Sequence, residues 1–295
     1  MYLPDFDYYA PVTLKEACLT LARLDGGASV LAGGTDLLSH MKNELISPKA
    51  LVSLRMIKGL DQITYVAERG LIIGAKATHN DLVGSQLLKE RYPAVSETAR
   101  VMANNQIRNR GTIGGNIVSA VPSADLPPIL IALDASVVME SPHGTRTVPL
   151  EQFFVGPRCS IIARDEILTG IVIPDQTTTG SAYFKFGLRR SGALAVVGVA
   201  ASVIANGANV IQARIVLGAV APTPLRARQA EQLLVGNAVT ETLLEEVGRN
   251  AANECKPISD IRGSEEYRRD MVRIFTKRAL RKALNLPTKH TGEGK

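Results

Sequence analysis

Apolar positions along this chain recur at the two spacings of helices and strands, and a change in the order of those elements divides it. In "TLKEACLTLARL" (13–24), Leu14, Ala17, Cys18 and Leu21 recur at helical spacing, and a threonine stands ready to cap the start. "THNDLVGSQLLKE" (78–90) reads as a second helix opened by threonine, and "PAVSETARVMA" (93–103) as a third, with proline at its first position. Between them "SVLA", "ALVSL", "QITYVA" and "GLIIGA" are short apolar runs of strand type. "SVVMES" and "TRTVPL" form a further pair joined by the turn "PHG".

The pattern shifts near residue 175. Pro174 ends the apolar run "EILTGIVIP", and "DQTTTG" is a polar linker. "SAYFKFGLR", "LAVVGVAASVIA" and "NVIQARIVLGAV" then read as an antiparallel meander with "NGAN" as its tight turn, followed by helices from about Pro224. Strands followed by helices predict a separate α+β domain, so the whole is read as α+β. The residues "TKHTGEGK" are read as a disordered tail.

Composition excludes several classes. The 295 residues are 45% hydrophobic and 21% charged, and no apolar run approaches the ~20 residues that span a bilayer. The start, "MYLPDFDYYAP", is acidic where a secretory signal is basic, so a cytoplasmic protein is expected. Cys18, Cys159 and Cys255 are far apart, and the four histidines are scattered. No disulfide framework, zinc site or cysteine-held iron–sulfur cluster is expected within the chain. The net charge of +6 gathers partly between Arg262 and Lys289. On a helix there, Met271, Ile274, Phe275 and Leu280 supply the buried side. The basic groups then form a solvated face or meet an acidic protein; few aromatics interleave to favour nucleic acid.

The chemistry concentrates in glycine motifs. "VLAGGTDLLSHMK" (30–42) places two glycines and a threonine between Val30, Leu31 and Ala32, read as the end of a buried strand, and a helix beginning at Asp36. Such a junction either makes a tight turn or lets phosphate approach bare backbone amides at a helix start. A second glycine loop, "NRGTIGGNI", carries Gly111, Thr112, Gly114, Gly115 and Asn116. Neither has the spacing of a P-loop or of a Rossmann turn. Together they could clamp two phosphates of one dinucleotide from opposite sides. Asp125, ahead of "LPPILIA", suits an N-cap, a carboxylate for ligand hydroxyls, or both at once.

"AGGTDLL" with "TIGGNI" resembles the FAD-binding subunits of molybdenum hydroxylases, the family of xanthine dehydrogenase and carbon monoxide dehydrogenase. The likeness continues through "GPRCSIIARDEILTGIVIP", "SAYFKFGLRRSG" and "LGAVAPTPLRARQAE". It implies a flavin domain of the vanillyl-alcohol-oxidase (PCMH) type over 1–175, with lobes of about 1–56 and 57–175, then a C-terminal domain over 176–286 and a tail over 287–295. By that resemblance, Val30 to Leu37 wrap the FAD pyrophosphate, chiefly through amides of Gly33, Gly34, Thr35 and Asp36. Thr112, Gly114, Gly115 and Asn116 form the second clamp. Asp125 lies beside the flavin's sugar-like chain, Met102 lines the pocket, Leu168 is an apolar ring contact and Lys185 stands beside the flavin, although Lys185 also reads as a polar-face strand residue. Two departures are visible: Ala193 stands where relatives often carry an acidic residue, and the cysteine-rich insert of 4-hydroxybenzoyl-CoA reductase is absent.

The resemblance therefore implies an oxidoreductase subunit that carries FAD, with molybdopterin on a large partner and 2Fe–2S clusters on a small one. Electrons would pass between those clusters and NAD or another acceptor, in a heterotrimer or a dimer of heterotrimers, without nucleic acid or membrane. No general acid or base is assigned. The alternatives are a free-standing flavin oxidase, against which the small second domain and the lack of a His/Tyr base constellation speak, and an RNA-binding protein resting on the basic tail.

Overall fold

In the computed structural model, residues 3–175, 178–189 and 191–287 are described. The tail expected over 287–295 therefore lies outside the described residues except for Pro287. The chain opens with β1 (Asp7–Tyr9), α1 (Leu14–Arg23), β2 (Ala28–Leu31), α2 (Leu37–Lys42) and β3 (Ala50–Ser53). The three strands are parallel with β3 in the middle. Thr13 caps α1 by accepting the Glu16 amide, and Ala17, Cys18 and Leu21 turn inward against Val52 and Leu54. β3 is buried at every residue, whereas β2 lies on the sheet edge and Val30 is 36% exposed. The strand before the first glycine motif is thus an edge strand and not a buried one. An edge position leaves one side open, which is what a ligand needs.

The middle of the chain contributes β4 (Ile63–Val66), β5 (Gly70–Gly74), α3 (His79–Gly84), α4 (Gln86–Arg91), α5 (Pro93–Arg100), α6 (Asn105–Arg108), α7 (Ile113–Val118), α8 (Leu126–Ala132), β6 (Ser136–Ser141), β7 (Gly144–Pro149), β8 (Phe154–Gly156), β9 (Cys159–Ser160) and β10 (Ile167–Ile173). An antiparallel sheet runs β4-β5-β10-β6-β7, and β8 pairs with β9 apart from it. The segment 78–90 is two helices rather than one. Ser85 leaves α3 with extended backbone and its hydroxyl accepts the Leu88 amide, capping α4. A serine that can bond its own downstream backbone competes with helix continuation. Every residue of α8 is buried.

The last unit holds β11 (Gly180–Phe186), β12 (Val197–Asn206), β13 (Asn209–Gly218), β14 (Leu225–Arg226), α9 (Arg228–Leu234), α10 (Glu241–Glu254) and α11 (Glu265–Ala283). Its four strands form one antiparallel sheet in chain order, and Gly207 takes a φ of +58° in the β12–β13 turn. The continuous apolar run of β12 has a cause in layering. Val197, Val199, Ala201 and Val203 join the core under α10 and α11, while Ala200, on the opposite face, joins the core that contains α8. Strand residues alternate between faces, so a sheet covered on both faces needs apolar groups on both.

The basic C-terminal helix departs from expectation. Arg268 is only 3% exposed; Nη2 donates to Asp260 at 2.6 Å, and Nη1 lies 3.3 and 3.2 Å from the Val196 and Ala219 carbonyls. Arg273, Lys277 and Arg281 pair with Glu241 or Glu245. The acidic surface they meet is the chain's own α10. Among the described residues, no helix is long and apolar enough to cross a membrane.

Candidate functional site

The turn between β2 and α2 is shaped by its glycines. Gly34 takes a φ of +75°, which an L side chain rarely adopts, and a Cβ on Gly33 would collide with the Arg110 carbonyl. That collision identifies the partner: the first glycine motif is backed onto Arg110 and Gly111. Beyond the turn, the Leu38 amide donates to Gly34 and the His40 amide to Asp36. Among the described residues, the amides of Gly33, Gly34, Thr35 and Asp36 find no acceptor within the chain. Unpaired amides in a turn that leads into a helix suit an anion.

The second glycine motif is a helix start and not a loop. Thr112 caps α7 by accepting the Gly115 amide at 3.1 Å, and the Gly114 amide donates to the Ala75 carbonyl at 2.9 Å. Gly114 is needed for packing, because a Cβ would lie 2.7 Å from that of Ala75. The amides of Gly114 and Gly115 are therefore already paired. What this segment offers is the Asn116 side chain, whose Oδ1 is buried without a partner. A buried, unpaired acceptor calls for a donor such as a hydroxyl or amine.

Residues beyond the expected set tie the two motifs together. Ser119, one turn beyond Gly115, stands 2.9 Å from Asp36 Oδ2 and 2.7 Å from the Gly115 carbonyl, so its single proton serves both. Asp36 makes no side-chain cap of α2; its carboxylate faces α7 instead. The Arg158 amide donates to Ala120 and its guanidinium meets His40 of α2 at 3.2 Å. His79, 4% exposed, packs its ring edge against Gly111, where a Cβ would stand 2.9 Å from Cδ2. Burial lowers its pKa to about 4 despite the attraction of Asp36, and Arg108 pushes the same way, so the ring is neutral with Nδ1 unpaired. The local sequence around the glycines holds no sign of these contacts between remote segments.

Asp125 and Lys185, sixty positions apart in sequence, meet directly. Lys185 Nζ lies 2.8 Å from Asp125 Oδ2, and the Tyr183 hydroxyl donates to Oδ1 at 2.7 Å. Asp125 stands at the N-cap position of α8 as expected, but its side chain makes no capping bond there. Burial raises its pKa, while Lys185 and Tyr183 pull it down. Tyr183 was missed, although a strand period of two puts it on the same face as Lys185. Met102 and Leu168 are 5% and 4% exposed and share one hydrophobic core with Ile113 and Ile117. The Met102 turn is held by Arg108, which donates to its carbonyl at 2.7 Å, and by the Gly192 amide on Ala103.

Bare amides in the turn after β2, an unpaired asparagine oxygen and a buried carboxylate shared between two units are groups suited to a ligand that carries phosphate and hydroxyl groups. The family described as "FAD binding domain in molybdopterin dehydrogenase" matches residues 4–176, and the CO dehydrogenase flavoprotein C-terminal domain matches 182–283. The chain belongs to this family of FAD-binding subunits of molybdenum hydroxylases and is an oxidoreductase subunit. The carbon monoxide dehydrogenase medium chain of Hydrogenophaga pseudoflava is 36% identical over 286 residues, covering 96% of this chain and 98% of that one. The putative xanthine dehydrogenase FAD-binding subunit of Escherichia coli K12 is 31% identical over 279 residues, covering 94% and 95%. Among solved structures, carbon monoxide dehydrogenase from Hydrogenophaga pseudoflava superposes with a TM-score of 0.93 at 37% identity, over 97% of this chain and 99% of that one. Quinoline 2-oxidoreductase from Pseudomonas putida 86 follows with a TM-score of 0.91 at 30% identity, over 97% and 99%.

Proposed function

We propose that this chain is the electron-transfer subunit of a cytoplasmic molybdenum hydroxylase, in a heterotrimer or a dimer of heterotrimers. A large partner would carry molybdopterin and a small partner the 2Fe–2S clusters. FAD, when bound, supplies the exchange of electrons between those clusters and NAD or another acceptor. The protein's part is to bind and orient it. Gly33, Gly34, Thr35 and Asp36 hold the pyrophosphate by their amides, flanked by Val30, Leu31, Ala32 and Leu37. Thr112, Gly114, Gly115 and Asn116 close the other side: the first three shape it, their polar groups being paired within the chain, and Asn116 Oδ1 accepts from a hydroxyl of the ligand.

In the same reading Asp125 accepts hydroxyls of the flavin's sugar-like chain, Met102 and Leu168 give apolar contacts, and Lys185 stands beside the flavin. The fold is of the vanillyl-alcohol-oxidase (PCMH) type over 1–175, in lobes of about 1–56 and 57–175, with a second domain over 176–286. The observation that carries the reading is the set of amides from Gly33 to Asp36, which among the described residues find no acceptor within the chain.

The test is to purify the chain from its host and identify the subunits, metals and flavin that accompany it. The isolated chain should bind FAD and pass electrons to a dye without hydroxylating any organic substrate; adding both partners should restore hydroxylation. Sustained substrate oxidation by the single chain would replace this reading with a free-standing flavin oxidase.

A further inference from the structure

The Asp125 carboxylate lies at the start of α8, which belongs to the first half of the chain, yet both protein donors that reach it come from β11 of the second half. Tyr183 and Lys185 are two apart on one strand and project to the same side, one to each carboxylate oxygen, at 2.7 and 2.8 Å. The packing around the phenol is made for this arrangement. On β12, Gly198 is paired in register with Lys185, and a Cβ there would lie 2.6 Å from the Tyr183 hydroxyl oxygen. Gly198 pairs in turn with Gly218 on β13, where a Cβ would lie 2.8 Å from Pro128 Cγ of α8. Two facing glycines thus admit α8 and the phenol against the sheet.

We propose that Tyr183 is a positioning residue of the cofactor site: its hydroxyl fixes the rotamer of Asp125 and keeps that carboxylate ionised for the ligand's hydroxyls. The inference rests on the FAD reading above. Each carboxylate oxygen has two acceptor sites, so one protein donor on each leaves room for a ligand hydroxyl. The charge needs this support because Asp125 is buried and burial favours its neutral form; Lys185 and Tyr183 are the titratable groups that face it, and both favour the anion. Tyr183 cannot itself lose its proton in this role, since burial and the adjacent carboxylate hold its pKa well above the usual phenol value. It is a donor only.

The experiment titrates FAD into the flavin-stripped full-length chain at a series of pH values, for wild type and for Tyr183→Phe. Wild-type affinity should weaken as acid protonates Asp125. In Tyr183→Phe that loss should begin at a pH higher by about one unit, because a donor to the charged form has gone. Gly198→Ala, whose methyl would crowd the same hydroxyl, should shift the profile in the same direction. Adding it to Tyr183→Phe should shift the profile little further. If wild type binds no FAD at any pH, the cofactor reading itself fails. If wild type binds FAD but its pH profile coincides with that of Tyr183→Phe, the role of Tyr183 is refuted.

Discussion

Ser119 Oγ stands 2.9 Å from Asp36 Oδ2 and joins two segments that are 83 residues apart in the chain. The contact ties the helix after the first glycine motif to the helix that begins with the second. Ser119→Ala should therefore loosen the two motifs against each other. The bond is exposed, shares its proton with the Gly115 carbonyl and is present without ligand, so its loss should cost about 1 kcal/mol of stability and weaken FAD by less than about tenfold. Flavin titration measures it, and a double-mutant cycle with Asp36→Asn should show coupling between the two positions.

The glycines should differ in what they tolerate. Gly33→Ala forces a methyl into the Arg110 backbone, and Gly114→Ala forces one to 2.7 Å from Ala75. Neither backbone can swing aside, so each should lose flavin retention and about 1–3 kcal/mol of stability. At Gly34 a Cβ would meet only side-chain carbons of Leu31 and Leu38, at 3.1 Å, and the cost is mainly that of a positive φ. Gly34→Ala should cost about 1 kcal/mol and retain more flavin than the other two. FAD content per chain after gel filtration decides the order.

Lys185→Met should destabilise the chain more at neutral than at acid pH. Asp125 already has a raised folded-state pKa, and losing its cation raises that further. A carboxyl whose pKa is higher folded than unfolded binds more protons in the native state, so stability falls as pH rises through the folded value. Breaking a buried pair on one side costs about 3–5 kcal/mol when the remaining charge is forced to persist. Denaturant melts at two pH values test the sign; an equal loss at both would contradict it.

His79 carries the opposite linkage. Its pKa is lowered from 6.5 to about 4, so between those values the unfolded chain takes a proton that the native chain refuses. Its contribution is intact above 6.5 and is lost as pH falls toward 4, by up to about 3 kcal/mol. A His79→Phe variant should have a flatter stability curve over that acid range, measured by chemical denaturation.

The basic helix should divide into structural and surface charges. Arg268→Met removes the cation that meets Asp260 and two backbone carbonyls in a nearly buried position, and should cost about 3–5 kcal/mol. Lys277→Ala breaks pairs to Glu241 and Glu245 whose groups are all partly open to water, and should cost less than about 1 kcal/mol. Thermal melts at two salt concentrations separate them.

Much of the fold was legible along the chain. The threonine cap of α1, the "PHG" and "NGAN" turns, and the change from mixed elements to a meander followed by helices are local signals. Their causes lie within a few residues: a hydroxyl that accepts a nearby amide, or a glycine that takes a positive φ. The two glycine motifs were legible for the same reason. Where the reading failed, a local signal met a competing one, as at Ser85, or a position depended on neighbours remote in sequence, as with Val30 on an edge strand.

The sequence by itself determined which backbone lacks side chains and which segments alternate at two or at 3.6 residues, because those properties belong to the residues one by one. Only the tertiary structure decided that Gly33 backs onto Arg110, that Ser119 reaches Asp36, that Arg268 is buried, and that Tyr183 and Lys185 share the carboxylate of Asp125. Each of these joins elements brought together by the burial of apolar faces. That burial is non-directional and roughly proportional to area, so it assembles the layers without announcing in any one segment which polar groups will meet.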